Sequence, residues 1–177
     1  MALDTIIIEN KLTEKFGSSV LNFRMERDIL TFEVTSDNIK EVIRFMKENE
    51  TLRFNFLTDL CGVHYPDNDP DSQFAIVYHL HNWIDNIRVR VKTFVNGINP
   101  ETDSVVDIFA TANWMERETY DFYGIIFKGH PNLKRILNDE GMISFPMRKE
   151  FPLEDVGRTD KDDRFFGRTP NNYEPNK

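Results

Sequence analysis

Residues 116–137 gather most of the reactive and contact-forming side chains of this 177-residue chain. Glu116, Arg117, Glu118 and Asp121 stand beside Phe122, Tyr123 and Gly124. A Gly129-His130-Pro131 turn then leads to Lys134-Arg135 and the aliphatic pair Ile136-Leu137. Two kinds of chemistry suit these residue types. His130 with Glu116 or Glu118 would serve as an acid–base set. Alternatively, charges rimming aromatics make a contact surface. An enzyme site would normally add a nucleophile, a metal set or a glycine cradle, and the run contains none, so the contact surface is the better reading. On a helix Arg117 and Asp121 lie four apart and are expected to pair, with Glu118 on another face. If that face is solvated, each pair is worth a few tenths of a kcal/mol. If it is buried, the charges matter far more.

Elsewhere the chemistry is thinner. His79 and His81 share a strand face, and His64 is close enough in sequence to approach them, but no further zinc ligand is indicated. His130 in its turn suits a structural hydrogen bond. Cys61 is the only cysteine. It reads as a small buried hydrophobe, since no His-Asp motif accompanies it. One thiol can close neither a disulfide nor an iron–sulfur site, which fits a reducing compartment. No phosphate-binding glycine motif occurs.

The net charge of −8 argues against nucleic acid or an anionic membrane surface as the main partner. Fifteen phenylalanines predict a Phe-rich core with some aromatic contact surface. The first ten residues lack the pattern of a signal peptide, and no apolar run reaches the ~18 residues of a spanning helix. A cytoplasmic chain, attached to membranes only through an assembly, is expected.

The elements that must position these residues follow from periodicity. Residues 4–16 are expected to form a helix capped by Asp4 and closed by Gly17. Strands over Val20–Arg24 and Ile29–Val34 form a hairpin about Glu26-Arg27-Asp28. Thr35 or Ser36 caps a second helix, on which Ile39, Val42, Ile43 and Met46 make one apolar stripe. From Phe54 the period becomes two, with Phe54, Phe56 and Thr58 on one side. A long hairpin follows, with Phe74, Ile76, Tyr78 and Leu80 facing the same way as Ile87, Val89, Val91 and Thr93. Val105–Phe109 is expected to be a short helix, and residues 113–122 a longer one ending at Gly124. The sum is an α+β, two-layer domain over residues 1–153, with helices packed on a mixed, largely antiparallel sheet.

From Glu154 the composition changes. Of the last 24 residues, 11 are charged and none is Leu or Ile. Residues 154–177 are expected to be an extended tail ordered on a partner, with Phe165 and Phe166 as its anchor.

The run Glu116-Arg117-Glu118, then Asp121-Phe122-Tyr123-Gly124, His130, Lys134, Ile136 and Leu137 closely resembles the signature of the C-type subunit of the proton-pumping NADH–quinone oxidoreductase, respiratory complex I. Arg148-Lys149-Glu150-Phe151-Pro152-Leu153, Leu57-Thr58-Asp59 and Tyr65-Pro66 extend the likeness over roughly residues 15–153. The resemblance implies an accessory component of the peripheral arm, without a redox centre, packed on the D-type subunit near the quinone pocket. FMN, iron–sulfur clusters and quinone would belong to partner subunits, and the chain would lie on the cytoplasmic side of the inner membrane. Its interface residues would be the signature residues with Arg135, Arg148, Phe151, Phe165 and Phe166. The alternatives are the equivalent component of a membrane hydrogenase or ferredoxin-linked complex, and a small stand-alone acid–base enzyme.

Overall fold

A computed structural model describes residues 3–151. The expected tail, with Phe165 and Phe166, lies outside the described residues. Five strands make the main sheet: β1 (Val20–Glu26), β2 (Ile29–Val34), β3 (Phe56–His64), β4 (Phe74–Asn82) and β5 (Ile87–Val95). Their order is β1-β2-β5-β4-β3. Only the β2–β5 pairing is parallel. Helix α2, β3 and β4 supply the long connection that such a pairing needs. Helices α1 (Thr5–Phe16), α2 (Ile39–Glu48) and α3 (Ala112–Tyr123) complete the α+β architecture. A short parallel ladder joins β6 (Glu101–Asp103) to β7 (Ile126–Lys128), and the sequence gives no hint of it.

One core joins the layers. Ile8 and Leu12 of α1 and the expected α2 stripe pack with Phe32, Phe74, Ile76, Tyr78, Leu80, Val89 and Val91 of the sheet. Each large side chain sequestered this way contributes ~1.5–3 kcal/mol. The other sheet face is polar, carrying Arg24, Glu33, Asp59, His79, Arg90 and Lys92.

Local chemistry explains the boundaries. The Asp4 carboxylate accepts from Thr5 N–H at the start of α1, and Gly17 closes it at φ +54°. The β1–β2 turn is tighter than expected. Strand pairing continues to Glu26 and Ile29, leaving Arg27 and Asp28 at φ +49° and +63°, the signature of a two-residue type I′ turn.

Five expectations fail. Neither Thr35 nor Ser36 caps α2 directly, because a 3-10 turn over Ser36–Asn38 intervenes. Phe54, Phe56 and Thr58 do not share a face. A bulge between Leu57 and Asp59 resets the alternation, so Leu57 and Leu60 reach the core while Phe56 is exposed. Cys61 is half-buried and not sealed in the core, because it alternates with the buried Leu60 and Gly62. Val105–Phe109 is a turn and not a helix, closed by Ile108 and Phe109 N–H groups donating to the Val105 carbonyl. His64 lies on the core side with Phe74, opposite His79 and His81.

Candidate functional site

Helix α3 is amphipathic in an unusual way, because several of its buried residues are charged. Glu116 and Asp121 are fully buried and Arg117 nearly so, whereas Glu118 and Trp114 face outward. The Arg117 guanidinium lies 4.9 Å from the Trp114 ring centre.

Asp121 organises the chain that follows. Its carboxylate accepts from three successive backbone N–H groups, of Ile136, Leu137 and Asn138, at 3.0, 2.8 and 3.0 Å. Asn138 Nδ2 donates as well. Arg135 completes the site, donating to Asp121 Oδ1 at 2.7 Å and to the Asp121 carbonyl at 2.8 Å. Burial pushes the carboxyl up, but the N–H groups of Asn138 and Leu137, then Arg135, outweigh it and hold it well below the usual range. The expected Arg117–Asp121 pair therefore does not form. Arg117 instead donates to the Lys134 and Arg135 carbonyls. Arg135 also ties the Met142 and Ser144 carbonyls, each at 2.8 Å.

A second anchor follows Gly124. At φ +72° glycine is favoured there, and a Cβ would stand 2.5 Å from Phe145. Phe145 reaches this position because Arg148 stacks between it and Phe74, with centroid distances of 4.8 and 5.0 Å. Arg148 Nε donates to the Tyr123 carbonyl at 2.7 Å, and Lys149 N–H donates to His64 Nδ1. Tyr123 covers Gly62, whose missing side chain lets α3 sit close to β3. Phe122 is half-buried, and its carbonyl accepts from Met147 N–H.

His130 is a latch. Its Nδ1 accepts from Asn132 N–H, so the ring proton sits on Nε2 and is donated to the Asn113 carbonyl. Both nitrogens are occupied by backbone, and neither is presented to a substrate.

Glu116 faces the opposite way, to the loop after β6. It accepts from Ser104 Oγ at 2.7 Å and Val105 N–H at 2.8 Å. Burial pushes its carboxyl up to about 7, against those two donors. Ser104 carries no signal in the sequence, since a serine twelve residues before a glutamate has no periodic meaning.

The outcome is a segment of little regular structure, 129–151, with its backbone fixed and several apolar side chains turned out. Leu137, Ile143, Met147 and Phe151 are exposed, Ile143 by 97%. An open groove of about 1100 Å³ runs past Tyr120, Phe145 and Arg148 toward β6 and β7. Among the described residues, no three His, Cys, Asp or Glu side chains assemble as a metal site. The structure thus brings Glu116, Arg117, Asp121, Tyr123, Gly124, His130, Lys134, Arg135 and Arg148 into one neighbourhood, as anchors more than as contacts.

Residues 32–156 match the family described as respiratory-chain NADH dehydrogenase, 30 Kd subunit. The chain belongs to this family. A relative from Rhizobium etli, named as a C-type component of NADH-quinone oxidoreductase, is 40% identical over 99% of this chain and 91% of its own length. The protein of the same name from a Roseiflexus species is 38% identical over 96% and 98% of the two chains. A solved trypsin-resistant fragment of Nqo5 superposes on this 30 Kd-type chain with a TM-score of 0.58 at 32% identity, covering 71% of the chain and 98% of the fragment. A chain of a membrane-bound sulfane sulfur reductase, an archaeal respiratory membrane complex, shares the fold with a TM-score of 0.72 over 97% of this chain and 96% of its own, at 24% identity.

Proposed function

We propose that this 30 Kd-type chain is an accessory, non-catalytic part of the peripheral arm of NADH–quinone oxidoreductase, packing on the D-type subunit beside the quinone site. In this reading FMN, iron–sulfur clusters and quinone sit in partner subunits, and the chain lies on the cytoplasmic side of the inner membrane. The carrying observation is the segment 129–151. Buried charges fix its backbone while Leu137, Ile143, Met147 and Phe151 stand in solvent, an arrangement that suits docking onto another protein. Among the described residues no helix is long and apolar enough to cross a membrane, which fits attachment through the assembly. The Nqo5 relative was solved as a trypsin-resistant fragment, 1–134 in its own numbering, and that fragment covers only 71% of this chain. This supports a stable domain followed by a part that gains protection from partners. Phe165 and Phe166, outside the described residues, would extend the same contact.

Glu118 gives the clean test, because it is exposed and its removal spares the fold. Glu118→Ala, and separately the pair Phe165→Ala and Phe166→Ala, should leave the isolated chain folded while lowering its retention in the purified native complex and the quinone reductase activity. Wild-type retention and turnover in both would overturn the proposal. Co-purification with flavin- and NADH-binding subunits separates this enzyme from a related hydrogenase or ferredoxin-linked complex.

A further inference from the structure

Beneath α3 the core contains hydroxyls with nothing to bond. Tyr78 and Thr93 are wholly buried and Thr102 is 2% exposed. Among the described residues, none of Tyr78 Oη, Thr93 Oγ1 and Thr102 Oγ1 has a hydrogen-bond partner. Native interiors contain few such groups, because each costs its lost hydration.

The three belong to one neighbourhood. Tyr78 pairs with Val91 and Thr93 with Ile76, so Tyr78 and Thr93 are diagonal neighbours on the core face of β4 and β5. Thr102, on β6, stands beside the Tyr78 hydroxyl, and the Glu116 carboxyl of α3 is within electrostatic reach of it. Glu116 already accepts from Ser104 and Val105, which leaves oxygen lone pairs unfilled. The charged groups that bear on Glu116 are Lys40 and Asp107, and Asp103 bears on Tyr78. Four polar groups from the main sheet, β6 and α3 thus converge on a spot closed to bulk solvent. A water molecule needs two to four polar partners to occupy such a place.

We propose that Tyr78, Thr93, Thr102 and Glu116 form an internal site for ordered water that bridges the main sheet to β6 and α3. The water accepts from the hydroxyls and meets either form of Glu116, accepting from the acid or donating to the carboxylate. It is a joint between the core and the helix that carries the buried anchors. The inference is independent of the partner proposed above, since it concerns the interior alone.

Isosteric replacement in the full chain decides it by sign. An orphaned hydroxyl replaced by a methyl or hydrogen raises the melting temperature, whereas loss of a hydroxyl bonded to structural water lowers it. Thr93→Val, Thr102→Val and Tyr78→Phe should each lower the melt. Tyr78→Phe with Thr102→Val should lose less than the sum of the two, because both act through the same water. Faster amide exchange in α3 should accompany each. Unchanged or raised melting temperatures would overturn the proposal. A high-resolution crystal structure of the full chain reads the site directly. Solvent density about 3 Å from at least two of the hydroxyls is expected. A dry site, or hydroxyls bonded to one another with no solvent between, would overturn it.

Discussion

Two dense charge networks lie in this small domain, and they are built differently. On the open sheet face, Glu26 takes Arg24 at 2.6 Å, Arg90 at 3.1 Å and Lys92 at 3.5 Å, and Arg24 reaches on to Glu33. These are side chains meeting side chains at the water boundary. Below α3, the Asp121 and Arg135 side chains are almost wholly enclosed, and most of their bonds go to backbone. The open network decorates a sheet whose strands are already paired. The enclosed one stands in for secondary structure, satisfying the backbone of a segment that has neither helix nor ladder of its own. A charge count would rate the two alike; what separates them is where the bonds end.

The largest effect should come from the enclosed network. Asp121→Ala strands Arg135 and three N–H groups away from water, so denaturant unfolding of the isolated chain should show a loss of ~3–5 kcal/mol. Asp121→Asn should recover part of it by keeping an acceptor. Stability near that of the wild type in Asp121→Ala would erase the contrast between the two networks.

Next in size is a pH effect at Glu116. Its folded value, about 7, lies above its ordinary 4.5, so the unfolded chain releases the proton first as pH rises. The sign is therefore a loss of stability between about pH 4.5 and 7, of ~3 kcal/mol in all. Glu116→Gln should flatten the stability profile in that window. Asp121 acts in the opposite sense. Its depressed value contributes stability above its ordinary 3.8, and that contribution is lost as acid is added.

Gly124→Ala should cost ~1–3 kcal/mol from the left-handed backbone alone. The clash with Phe145 adds to it, and the displacement of Phe145 should speed amide exchange in residues 142–148. The smallest effect is expected on the open face. Lys92→Ala should cost less than ~1 kcal/mol, and the difference should shrink further in high salt.

Much of the fold is legible in the residues alone. The α2 stripe appears in the structure at the four expected positions, and the β4–β5 alternation holds along both strands, because both patterns are set by local period. The run from Glu116 to Leu137 points to the correct region, and most of its charges are buried. Its wiring does not follow, since helical spacing offers Arg117 to Asp121 while the actual partner is fourteen residues away on a loop. The bulge at Leu57 and the β6–β7 ladder escape for a related reason. Both depend on what a strand meets in space, and a three-residue strand leaves almost no pattern of its own.

The bulges have a consequence for how this sheet meets other proteins. Its two edges are β1 and β3. Each has a register break, β1 between Leu21 and Arg24 with Asn22 at φ +56°, and β3 between Leu57 and Asp59. Neither edge presents a long straight row of free amides and carbonyls for a foreign strand to copy. A polypeptide whose family works inside larger assemblies is thereby protected from templating its own stacking while it waits to be incorporated.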